Sequence, residues 1–107
     1  MVESNADGFM TVAKVGAIPE GEGRSFQVGE RLVAVFLQGG RYFAIDDLCP
    51  HMGASLAEGE IDGDQVICPW HAAHFSVKTG EALSPPADQD VTRFNVRAEG
   101  DTIEIEV

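Results

Sequence analysis

The sequence has no apolar stretch approaching the roughly 20 residues that a membrane-spanning helix needs. It is also poor in cations. Seven Lys and Arg stand against eighteen Asp and Glu, a formal net charge of −11. Binding to a phosphate backbone draws on Lys and Arg, so nucleic acid is not an expected partner. An anionic membrane surface would repel the chain for the same reason. A partner with a basic patch is favoured, because opposite charges steer encounter, although solubility alone also accounts for such acidity. The opening Met1-Val2-Glu3-Ser4-Asn5-Ala6-Asp7 has neither a basic n-region nor an apolar h-region. No secretory signal is expected there, and the expected location is cytoplasmic.

Cysteine is scarce as well, with two in 107 residues. In a small secreted domain the default reading would be a disulfide. Here each cysteine is followed closely by a histidine, which points to metal instead. The length fits one domain, residues 1–107, with a limited core that a bound metal centre would help hold together.

Helical signals are weak, and the chain reads as all-β. Val12 to Val15 and Arg24 to Val28 are short strand candidates, separated by the loop-like Pro19-Glu20-Gly21-Glu22-Gly23. Arg31 to Gln38 is a nearly continuous apolar run, as expected of a strand buried on both faces. Gly39-Gly40 separates it from Arg41-Tyr42-Phe43-Ala44-Ile45, a hairpin signal because both glycines tolerate positive φ. From Val91 to Arg97, Thr92, Phe94 and Val96 share one face. After Gly100-Asp101, Ile103, Ile105 and Val107 alternate with Thr102, Glu104 and Glu106, which predicts a strand with one wet face. Between these blocks, from Asp47 to about Gly80, strands are brief and loops dominate. Asp62-Gly63 and Lys78-Thr79-Gly80 are turn signals, and Ala54 to Glu58 allows a helical turn too short to be stable unaided. The expectation is a β scaffold, about residues 1–46 and 81–107, with a metal-binding lobe inserted at about 47–80.

The lobe contains Cys49-Pro50-His51, then sixteen residues, then Cys68-Pro69-Trp70-His71. Each loop offers one thiolate and one imidazole. A chance histidine at both offsets would occur about once in a thousand, so the pattern is specific. Three readings are open on the residues alone. A tetrahedral zinc site has the right donors, although common zinc fingers group their cysteines and histidines rather than alternating them. A cysteine nucleophile activated by histidine would leave the second pair unused. A Rieske [2Fe–2S] cluster uses all four, two cysteines on one iron and two histidines on the other.

These loops, C-x-H and C-x-x-H, resemble those of the Rieske family. The likeness extends to Tyr42-Phe43-Ala44-Ile45-Asp46-Asp47 before the first loop, Gly53-Ala54-Ser55-Leu56 after it, Phe75 after the second, and the proline-containing Ser84-Pro85-Pro86-Ala87. The nearest subgroup is the small Rieske-type ferredoxins, which in turn resemble the Rieske domains of ring-hydroxylating oxygenases and the small subunit of nitrite reductases. The resemblance implies a fold of stacked antiparallel sheets and one [2Fe–2S] cluster per chain, held by Cys49, His51, Cys68 and His71. It also implies a one-electron carrier with no bond-making step of its own. Its expected partners are an NAD(P)H-dependent flavin reductase and a terminal non-haem iron oxygenase. The alternative is a place beside a nitrite reductase large subunit, and a non-redox zinc module is the remote one. A terminal oxygenase subunit would need mononuclear iron ligands in a further domain.

Departures from the family pattern carry information. Members in respiratory and photosynthetic complexes have an extra cysteine in each loop, joined by a disulfide; Ala54 and Trp70 stand there instead. Their sulfur-directed serine and tyrosine hydroxyls are replaced by Ala73 and Phe75. Hydrogen bonds to sulfur stabilise the electron-rich reduced state, so their loss predicts a potential near the low end of the Rieske range, about −150 mV. Reduction should raise the pKa of the free imidazole nitrogens, so the potential is expected to fall with rising pH.

Other residues have plain readings. His74 is expected to be an ordinary polar neighbour rather than a ligand. Met52, Trp70, Pro85 and Pro86 suit an apolar tip that shields the cluster or docks a partner. Glu58, Glu60, Asp62 and Asp64 read as a solvated row, with reductase docking as the functional alternative.

Overall fold

The computed structural model describes residues 3–4, 8–48, 54–69, 73–83 and 90–106. These contain the strands β1 (Glu3–Ser4), β2 (Phe9–Lys14), β3 (Glu22–Val28), β4 (Arg31–Gln38) and β5 (Arg41–Asp46), then a 3-10 turn (Leu56–Glu58). The strands β6 (Glu60–Asp62), β7 (Gln65–Ile67), β8 (His74–Ser76), β9 (Arg93–Glu99) and β10 (Thr102–Glu106) follow. The fold is all-β, as the alternating pattern predicts.

Two antiparallel sheets divide the chain. The larger has the order β1-β2-β10-β9-β5-β4-β3, and the smaller is the meander β6-β7-β8. β2 and β3 lie far apart in that order and yet touch, so the larger sheet curls on itself. Its interior is one apolar cluster that includes Val33 and Val35 of β4, Ala44 of β5, and Ile103 and Ile105 of β10.

β4 is the wall between two cores. Val33 and Val35 face the curled interior, whereas Ala34 and Phe36 face the small sheet, and all four are 0% exposed. Successive side chains of a strand point to opposite faces, so a strand buried on both sides reads as an unbroken apolar run. β3 follows the close packing inward: a Cβ on Gly23 would strike the Phe36 ring.

The turns obey local chemistry. Gly39 (φ 63) and Gly40 (φ 76) close the β4–β5 hairpin between Gln38 and Arg41. Glu20 caps that turn by accepting from the Gly39 N–H at 2.7 Å and the Gly40 N–H at 2.9 Å.

The wet face expected on the last strand is not uniformly wet. Glu104 is 6% exposed, opposite its cross-strand partner Arg97. Its Oε1 accepts from Arg97 Nε at 2.8 Å and lies 2.7 Å from Nη2. The guanidinium also stacks over Phe9, 4.0 Å from the ring centroid. The carboxylate is buried because a fork-shaped cation satisfies it. Strand β9 begins at Arg93 rather than Val91, because the Val91 N–H is held by the Gly80 carbonyl at 2.8 Å, in the core beside the small sheet.

Candidate metal centre

The second core is a platform under the small sheet. It gathers Ala34, Phe36 and Ile45 from the large sheet with Ala54, Leu56, Val66, Cys68, Ala73, Phe75, Val77 and Val91. Cys68 stands just after β7 and is 1% exposed. Of the four expected ligands it is the one within the described residues. Cys49, His51 and His71 lie outside them, as do Met52, Trp70, Pro85 and Pro86.

Segments 49–53, 70–72 and 84–89 lie outside the described residues. The described residues on either side of each are joined to one another. The first is closed by a bridge between Leu48 and Ser55. The second is closed by the Cys68 N–H donating to the Ala73 carbonyl at 2.7 Å. The third is closed by the Ala82 N–H on Asp90 Oδ1 at 2.9 Å and the Val91 N–H on the Gly80 carbonyl at 2.8 Å. The ends Ala54, Cys68, Ala73 and Val91 all belong to the same cluster, with Ala82 packed against it. Described residues flanking both expected ligand loops, Ala54, Cys68 and Ala73, thus share one buried floor.

The surroundings of Cys68 suit a thiolate-ligated cluster. Ala54, Ala73 and Phe75 are at most 1% exposed and carry no hydroxyl or thiol. Such an apolar floor limits water access to a bound centre and bears on its potential. Among the described residues no group of three or more His, Cys, Asp or Glu converges to offer a competing metal site. Cys68 on its apolar floor, the one described member of the expected donor set, suits a thiolate ligand of such a cluster.

His74 is turned away from this floor. It alternates with Phe75 on β8, and its Nδ1 donates to Gln65 Oε1 at 2.9 Å. That bond suits the polar neighbour expected from the sequence. Glu58, Glu60, Asp62 and Asp64 are exposed, and Asp64 pairs with Lys78 at 3.1 Å.

One feature of the site had no role assigned on the sequence. Asp47 is 3% exposed, and its carboxylate binds Ser55 and Ala57 on the far side of the first segment. The only signal was an acid just before the loop and a hydroxyl just after it, and neither residue type is diagnostic by itself.

Similarity to known proteins agrees with this geometry. Residues 8–95 match the family model of the Rieske [2Fe–2S] domain. The 3-phenylpropionate/cinnamic acid dioxygenase ferredoxin subunit of Escherichia coli (strain K12) is 40% identical over 94 residues, 87% of this chain and 88% of that protein. The ferredoxin of carbazole 1,9a-dioxygenase from Nocardioides aromaticivorans IC177 superposes with a TM-score of 0.85 at 28% identity, over 90% of this chain and 94% of that one. A complex of reduced oxygenase and oxidized ferredoxin in carbazole 1,9a-dioxygenase includes a chain 31% identical, with a TM-score of 0.85 over 92% of this chain and 93% of its own. Chains described as nitrite reductase small subunits align at 19% and 20% identity, a likeness of fold alone. The family match over residues 8–95 and the 40% identity to a ferredoxin subunit, on a fold with a buried floor around Cys68, give the conclusion: the chain belongs to the Rieske [2Fe–2S] domain family, and its cofactor is a Rieske-type [2Fe–2S] cluster.

Proposed function

We propose that this chain is the ferredoxin component of a multi-component oxygenase. It takes one electron from an NAD(P)H-dependent flavin reductase and delivers it to a terminal non-haem iron oxygenase. Cys49, His51, Cys68 and His71 hold the cluster, 47–80 is the cluster lobe of a single Rieske domain, and the location is cytoplasmic. The observation that carries the reading is the platform, which brings the base of each ligand loop to one buried cluster around Cys68. The relatives supply the partner class, since they are named as ferredoxin subunits of dioxygenases.

The cluster, when bound, supplies reversible one-electron chemistry at iron. The chain's own residues do the rest. Ala73 and Phe75 exclude water from the Cys68 side and offer sulfur no hydroxyl. Leu48 and Leu83 are 47% and 40% exposed, and each adjoins one of the closed segments, as the exposed Pro69 adjoins the other. Exposed apolar side chains next in sequence to the expected ligand loops suit a docking face. The nitrite reductase reading shares the fold and lacks this sequence likeness.

The test is direct. Protein produced with iron should be red-brown, contain equal iron and inorganic sulfide, and be reduced by a flavin reductase in the presence of NADH or NADPH. Cys68→Ser and His71→Ala should each abolish the colour. A colourless protein carrying zinc would sink the proposal.

A further inference from the structure

Asp47 is a carboxylate in the least favourable place for one, at 3% exposure beside an apolar core. Burial of a charged carboxylate is costly unless hydrogen bonds satisfy it. Its bonds all run to the same place. Ser55 Oγ donates, lying 2.8 Å from Oδ1 and 3.0 Å from Oδ2, and the Ala57 N–H donates to Oδ1 at 3.0 Å. The Asp47 carbonyl accepts from the Leu56 N–H at 2.6 Å. In the other direction the Asp47 N–H donates to the Leu32 carbonyl at 3.0 Å, on β4.

Residue 47 is therefore fastened to the large sheet by its amide and to residues 55–57 by its carboxylate and carbonyl. The tie spans the segment that carries Cys49 and His51. It also replaces an ordinary device. Ser55 precedes the 3-10 turn, the position from which a serine side chain usually caps a helix by accepting an N–H. Here Ser55 makes no such cap; its hydroxyl donates to Asp47, and Asp47 caps the turn at Ala57 from ten residues upstream. Capping and loop closure are the same set of bonds.

We infer that Asp47 is a positioning residue for the cluster: its clasp on Ser55 and Ala57 sets the separation of the two ends of the first ligand segment. This rests on the function proposed above. Groups behind the ligands orient them and tune the centre, and their loss typically costs 10–100-fold in metal affinity. Fixing both ends of a short segment also removes chain entropy that the ligands would otherwise have to overcome on binding.

The experiment uses the holoprotein with Asp47→Ala, Asp47→Asn and Ser55→Ala. Two readouts are taken: the rate of cluster release to a chelator and the g values of the reduced cluster by electron paramagnetic resonance. Asp47→Ala should release the cluster about 10-fold faster and shift the g values. Asp47→Asn keeps an acceptor oxygen for Ala57 and should recover most of the loss. Ser55→Ala should fall between wild type and Asp47→Ala, and it serves if Asp47→Ala does not fold. The double variant should be no worse than Asp47→Ala, because the two residues share their bonds. Ile105→Val, in the other core, controls for general destabilisation. Wild-type release and g values in Ser55→Ala and Asp47→Ala would overturn the inference, as would an equal effect from Ile105→Val. If the wild-type protein takes up no iron–sulfur cluster, the proposed function fails. The clasp is then judged by amide exchange at Leu56 and Ala57, which should quicken in Asp47→Ala and would refute the clasp if unchanged.

Discussion

Ala73 and Phe75 show how a fully buried residue can shape a redox centre by what it withholds. Both are 0% exposed on the Cys68 floor, and neither can donate a hydrogen bond from its side chain. Rieske relatives of higher potential place hydroxyls at the matching positions, and a donor to sulfur stabilises the reduced state over the oxidised one. Ala73→Ser combined with Phe75→Tyr should therefore raise the midpoint potential. A preference of about 1.4 kcal/mol for the reduced state corresponds to about 60 mV for one electron. Protein-film voltammetry on wild type and variant measures the difference, and an unchanged or lowered potential would contradict the assignment. Glu104 carries a lesson at the same scale. Period-two alternation marks it as a wet position, yet Arg97 covers it, so alternation reports side-chain direction and not exposure.

Among the elements, the turn after β8 decides how the third segment is anchored. Ser76 organises it: its hydroxyl accepts from the Lys78 and Thr79 N–H groups at 3.2 Å, and its carbonyl accepts from the Gly80 N–H at 2.8 Å. Gly80 has φ 78, and a Cβ there would run into the Val91 carbonyl. Gly63 offers a contrast, with φ 62 and open space around it. Gly63→Ala should cost about 1–2 kcal/mol, the strain of the left-handed conformation. Gly80→Ala adds a backbone clash and should cost about 1–3 kcal/mol more. Urea unfolding of the two holoproteins checks this, and equal losses would mean that the Gly80–Val91 contact is not the anchor described here.

For the whole molecule, a net charge of −11 leaves the question of where acidity has a use. Arg97 and Lys78 neutralise Glu104 and Asp64. Glu58 on the 3-10 turn and Glu60 and Asp62 on β6 remain exposed, and the first two line a groove of about 960 Å³ that reaches Cys68 and Pro69. If this row steers a basic reductase, Glu58→Gln, Glu60→Gln and Asp62→Asn together should slow reduction roughly 10-fold at low salt and flatten its salt dependence. Stopped-flow reduction across ionic strength gives the answer. An unchanged slope would return the row to a solvated face. Among the described residues no helix is long and apolar enough to cross a membrane.

Much of this protein is legible in one dimension. The hairpin at Gly39-Gly40, the doubly buried Val33 to Phe36 and the short strands of the middle third follow from period, glycine placement and run length. These are local properties, dictated by the two-residue repeat of a strand and the permissiveness of glycine for positive φ. The expected donor set was legible for a similar reason, because thiolate and imidazole at fixed offsets have few other uses. The curl of the large sheet, the burial of Glu104 and the Asp47 clasp were not legible. Each joins residues through space: β2 with β3, Arg97 with Glu104, Asp47 with Ser55 and Ala57. An aspartate reads as polar and exposed until its partners are known, since only neighbouring donors make its burial affordable. The sequence by itself determined the strands and, by the spacing of its cysteines and histidines, the ligands proposed for the cluster. The tertiary structure decided which surfaces close over one another, because burial and hydrogen bonding depend on neighbours that the chain order does not name.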